Sequence, residues 1–120
     1  MKDDVYNRRF KQLALAIIRF TKSFPNEQEY WTIKKQVIDS STSAAANYRA
    51  ADRAKSNADF INKLKIVEEE MDETMFWLEF TVGVSEEWRL DVKPLYHEAN
   101  ELLSITVSSI KTARNKGKDK

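Results

Sequence analysis

The stretch SSTSAAANYRAADRAKS, residues 40–56, decides the architecture. Its first seven residues, Ser40 to Ala46, are all small, so a helix through them has almost no side-chain bulk for more than a turn. A neighbouring helix can approach such a surface unusually closely. Three cations, Arg49, Arg53 and Lys55, mark one end of that contact. Ser56 with Asp59 three residues on is then the start signal of a further helix.

Elsewhere the chain is as poor in turn chemistry as this stretch is rich in helix signals. Two Gly and two Pro in 120 residues leave little with which to build a many-stranded sheet, and favour long helices joined by short connections. Four such helices are predicted. The first spans about residues 3–24, with Tyr6, Phe10, Leu13, Ile17 and Phe24 at three- and four-residue steps and Pro25 as its stop. The second spans about 27–53, capped by Asn26 with Glu29, and buries Tyr30, Ile33, Val37, Ala44, Tyr48 and Ala51. The third spans about 57–82, with a stripe from Phe60 to Val82 and Gly83 as its stop. The fourth spans about 92–113, capped by Asp91 with Pro94 in its first turn. Short connections force antiparallel neighbours, so the fold class is all-α, an antiparallel up-down-up-down four-helix bundle. One domain over residues 1–113 is expected, followed by a disordered basic tail, 114–120.

The third helix carries a second greasy surface. Phe76, Trp77 and Phe80 point away from its main stripe, with Trp88 a further aromatic nearby. A single bundle core takes only one face, so these three are candidates for an oligomer interface. Within the small-residue run, Ser40, Ser43 and Ala44 are assigned to close helix packing, their hydroxyls bonding carbonyls one turn back. Asn47, an amide beside Tyr48 on a heptad-like seam, is assigned to register.

Composition narrows the chemistry. Cysteine is absent, which excludes disulfides, thiolate catalysis and Cys-ligated zinc. No window approaches the roughly 18 consecutive apolar residues of a membrane span, and MKDDVYNRRF lacks the apolar run of a signal peptide, so a cytoplasmic location without membrane partners is expected. Glu69, Asp72 and Glu73 lack the Glu-x-x-His pairs that bundle metal sites need, since the single histidine, His97, has Pro94 three residues before it. They read as a solvated acidic face. His97 pairs by spacing with Glu101 and reads as a surface or groove histidine. Two glycines cannot build a phosphate-binding loop or a nucleophile elbow. No enzyme, no metal and no cofactor are expected.

The net charge of +1 hides a segregation. Residues 8–22 and the tail after Ile110 are basic, and residues 68–79 are acidic without a single cation. Arg49, Arg53 and Lys55 beside Tyr48 suit phosphate contacts and base stacking, or else a solvated helix end complementing its dipole.

The runs RFKQLALAIIRFTKSFP, ANYRAADRAKS and DFINKLKIVEEEMDETMFWLE, with the order and spacing of Phe24-Pro25, Asn47, Arg49, Ser56, Asp59-Phe60 and Trp77-Leu78, resemble a known family. It is the family of small bacterial four-helix-bundle proteins encoded within intervening sequences of large-subunit ribosomal RNA genes. The resemblance covers about Phe10 to Val82 and the Glu-Leu-Leu pattern of the last helix. It implies a ring-like homo-pentamer. The family in turn resembles the accessory protein of diversity-generating retroelements, a pentamer that works with a reverse transcriptase and its RNA. The expected function is a non-enzymatic homo-oligomeric scaffold binding RNA or DNA through symmetry-repeated Arg49, Arg53 and Lys55. The alternative is a protein–protein adaptor that uses the aromatic face of the third helix without nucleic acid.

Overall fold

The structure, a computed structural model, describes residues 4–118. Four helices, α1 (Asp4–Thr21), α2 (Gln28–Asp52), α3 (Asn57–Val84) and α4 (Arg89–Lys118), lie antiparallel in a bundle 53 Å long and about 22 Å across. The apolar stripes read from the sequence meet along the axis. Phe10, Ile17, Ile33, Val37, Leu64, Met71, Leu78 and Leu102 are all essentially inaccessible to water.

The small-residue run does what its bulk dictates. Ser40 and Ala44 are fully buried, and Ser40 Oγ meets Thr74 Oγ1 of α3 at 2.8 Å, a side-chain hydrogen bond across the α2–α3 seam. Ser41 and Thr42 return their hydroxyls to the Ile38 carbonyl, at 3.3 and 2.7 Å. A hydroxyl bonded within its own helix presents little to compete with, so the packing offsets the poor helix propensity of serine.

Helix ends differ from the sequence reading in instructive ways. α1 stops at Thr21, and residues 22–24 continue as tight turns, Phe24 N–H donating to Thr21 C=O at 3.2 Å. Asn26 does not cap α2: Glu27 holds the cap position, and Asn26 Oδ1 accepts from Trp31 Nε1 at 2.8 Å. The cap at Ser56 is present, its hydroxyl accepting from Asp59 N–H at 3.1 Å. Gly83 is not a stop. No described residue has positive φ, and α3 ends one residue later, where Ser85 turns extended. Nor does Asp91 cap α4. A 3-10 turn, Glu86–Trp88, feeds straight into the helix at Arg89, because Trp88 is drawn into the core. Pro94 therefore sits inside the helix rather than in its first turn.

α4 also outruns its expected end at Ala113, remaining helical through Lys118. Ala113 is buried, and Asn57 Nδ2 donates to its carbonyl at 2.9 Å, tying this last stretch to the start of α3. Gly117 makes room for that contact, since a Cβ there would lie 3.3 Å from Asn57 Nδ2. Residues 114–118, expected to fray, are thus helical though 114–117 are exposed, and residues 119–120 lie outside the described residues.

Candidate nucleic-acid interface

Antiparallel topology gathers distant cations at one end of the bundle. Residues 5–12, 46–68 and 104–117 form that end, and they carry eleven Lys and Arg against Asp52, Asp59 and Glu68. The other half, residues 13–45 and 69–103, carries six cations against thirteen carboxylates. A molecule near neutrality overall is therefore a long electrostatic dipole.

Arg49, on the last turn of α2, and Arg53, at its C-terminal cap, face Arg8 and Lys11 on α1 across a groove of about 390 Å³. Ala45 and Ala46 line the same groove, so the small-residue run that admits close packing on one face leaves a trough on another. None of the four cations makes an ion pair among the described residues. Asp52 enters the groove but accepts from Asn7 Nδ2 at 3.1 Å, while Asn7 Oδ1 is buried without a partner. Lys55 stands in the connection between α2 and α3, exposed and outside the groove lining. The sequence signal for Arg8 and Lys11 was the cation-only run of α1, and only the fold joins it to α2.

Arg9 of the same run is committed elsewhere. Its guanidinium takes Glu98 in a two-pronged bond, 2.9 and 2.7 Å, and adds Glu101 at 2.8 Å. These partners, Glu98 first, hold it protonated well above the ordinary arginine range. Glu101 therefore serves Arg9 rather than His97, which is exposed.

Asn47 donates to the carbonyl of Ser43 at 2.9 Å and to its hydroxyl at 3.3 Å, both within α2, and in the small-residue run it is Ser40 that reaches α3, through Thr74. The aromatic residues of α3 divide. Phe76 and Phe80 are 52% and 46% exposed, and Trp77 is half-buried against the core. Their ring centroids lie 4.9 to 6.0 Å apart, one contiguous aromatic face. Trp88 does not belong to it. It is buried, and its Nε1 donates to the Tyr30 hydroxyl at 3.0 Å. Glu69, Asp72 and Glu73 are exposed, and no group of three His, Asp or Glu among the described residues has metal-site geometry. No described helix is long and apolar enough to cross a membrane.

No curated protein matches the chain. Among solved structures, one similar to it is the crystal structure of a protein of unknown function from the S23 ribosomal protein family of Bacteroides thetaiotaomicron. The two share 36% identity and superpose with a TM-score of 0.82, over 92% of this chain and 99% of that one. Residues 2–108 match the family described as 23S rRNA-intervening sequence protein, and the chain belongs to that family.

Proposed function

We propose that the protein is a non-enzymatic, homo-oligomeric helical scaffold that binds nucleic acid, RNA foremost, with the basic end of the bundle as its contact surface. The observation that supports this reading best is the four unpaired cations, Arg8, Lys11, Arg49 and Arg53, around one groove in a half-molecule dominated by positive charge. Free guanidinium and ammonium groups along a trough suit a phosphate backbone, and counterion release supplies the affinity. Cations already held by carboxylates, such as Arg9, would contribute little.

Self-assembly would multiply the effect. The aromatic face of Phe76, Trp77 and Phe80 lies in the acidic half, so copies joined through it would leave their basic ends free. In a pentamer, the number the resemblance implies, the basic ends would repeat around the ring and each site would add to avidity. The test is RNA affinity across a salt series for wild type and the Arg49→Glu/Arg53→Glu variant. The expected result is a log–log slope of several units for wild type, shallower by about two for the variant. Absence of binding at low salt, or a variant that binds as wild type does, would refute the proposal.

The adaptor reading draws on the same aromatic face, half-exposed in a single copy. The two are separated by light-scattering mass. Wild type is expected well above the 14.0 kDa of one chain, with Phe76→Ser/Phe80→Ser reducing it to one chain. A monomer that captures a helical partner through Phe76 and Phe80 would favour the adaptor.

A further inference from the structure

Resting on the nucleic-acid reading above, we infer that the cleft at the basic end of the bundle receives a single unpaired base, guanine by preference, while the neighbouring groove holds its flanking phosphates. The cleft opens where all four helices converge and encloses about 510 Å³, within the range of small-ligand sites. Its walls include two half-buried rings, Tyr6 of α1 and Phe60 of α3. Its floor includes Tyr48, held flat by stacking on Phe10 at 4.5 Å. Polar groups from α4, Ser109 and Thr112, face them. Aromatic walls with a polar rim suit a planar heterocycle better than an extended peptide or a bare anion.

Asp52 lines both this cleft and the cationic groove, so the two are contiguous across one side chain. That position sorts the parts of a nucleotide. The carboxylate repels phosphate from its side of the cleft, which Lys116 also lines, while four cations, Arg8, Lys11, Arg49 and Arg53, attract it in the neighbouring groove. Asp52 Oδ2 accepts from Asn7, which fixes the carboxylate and leaves Oδ1 and the second lone pair of Oδ2 to accept from a ligand. The Watson–Crick edge of guanine presents adjacent N1–H and N2–H donors, which a carboxylate takes as a pair. Uracil offers one donor, and adenine and cytosine one exocyclic amine. A base already paired in a duplex hides this edge, so the ligand is a bulged, looped or terminal nucleotide.

The experiment measures the full-length protein against RNA hairpins that differ only at one site: fully paired, guanosine bulge, abasic bulge, and bulges of the other three bases. At one moderate salt concentration the guanosine bulge is expected to bind about tenfold tighter than the paired or abasic hairpin, the scale of one base stacked on an aromatic side chain. Thr112→Trp, at an exposed position of α4, fills the cleft without touching the cationic groove and is expected to erase that advantage while keeping affinity for the paired hairpin. Asp52→Asn is expected to level guanine with the other bases. Equal binding of guanosine-bulged and abasic hairpins overturns the base site. If both remain sensitive to Arg49→Glu/Arg53→Glu, the broader nucleic-acid reading survives that failure. Binding of no hairpin at low salt overturns both. A Thr112→Trp protein that melts normally and keeps the guanine preference places the base elsewhere and also overturns the inference.

Discussion

At one end of the bundle Phe20, Phe24, Tyr30 and Trp88 meet in a ring cluster, centroids 5.0 to 6.0 Å apart, with the indole N–H of Trp88 bonded to Tyr30. At the other end the helices finish in cations around open clefts, and the aromatic residues Tyr6 and Phe60 are only half-buried. The first end is filled by that ring cluster around the buried Trp88 and holds most of the acidic charge. The second lacks such a cluster and gathers positive charge that repels itself. The buried ring cluster lies away from the proposed phosphate surface, and the open end carries the surplus charge that a phosphate partner would neutralise.

The contrast is broken most directly at Trp88. Trp88→Ala removes a buried ring shared by three others and strands the Tyr30 hydroxyl, so a loss of about 3–5 kcal/mol is expected in denaturant unfolding. The matching truncation at the open end, Phe60→Ala, should cost about 1–2 kcal/mol, because a half-buried ring gives up less surface and leaves a space water can enter. Equal losses from the two would mean that the basic end is as tightly closed in solution as the aromatic one.

Much of this contrast was legible along the sequence, and its missing part has a physical reason. The stripes of α1 to α4 follow from periodicity, which is a local property. The packing role of Ser40 and Ala44 follows from their size. The ring cluster could not be read, because its members come from three segments and meet only after folding. That cluster also explains the earlier start of α4: burial of Trp88 fixes residues 86–88 as a 3-10 turn that runs into the helix at Arg89, overriding the weaker cap signal of Asp91. Asn26 leaves its expected cap position for a similar reason, since the Trp31 indole claims its oxygen. The cations of α1 stood out as a run, but pairing Arg8 and Lys11 with Arg49 and Arg53 required knowing which helices are neighbours.

Between the two ends lies the α2–α3 seam, and Ser40 with Thr74 tests how the halves are joined. Either hydroxyl keeps a partner when the other is removed, Thr74 on the Glu70 carbonyl at 2.9 Å and Ser40 on that of Val37 at 3.3 Å. Ser40→Ala and Thr74→Val should therefore each cost about 1 kcal/mol rather than the larger penalty of an orphaned buried group. The double variant should cost less than the sum, with a coupling of about 0.5–1 kcal/mol in a double-mutant cycle. Strict additivity would mean the hydroxyls are neighbours without being partners.

The smallest effect belongs to the acidic end and appears only in alkali. Burial first, and then the hydrogen bond to Glu79 at 3.1 Å, raise the Tyr96 phenol above its ordinary value of 10.0. The folded protein thus holds this proton more tightly than the unfolded chain does. Its contribution is complete below the unfolded value and is lost as pH rises through the higher folded one. Since Tyr96 lies near the surface, solvent screens the effect, and the loss should be slight. Comparing thermal midpoints of wild type and Tyr96→Phe from neutral pH to beyond pH 10 should show wild type falling a little more steeply over that last interval. Parallel curves would show that Glu79 and its acidic neighbours exert no more field on Tyr96 than water does, and the acidic half would then be negative in charge count without being negative in local potential.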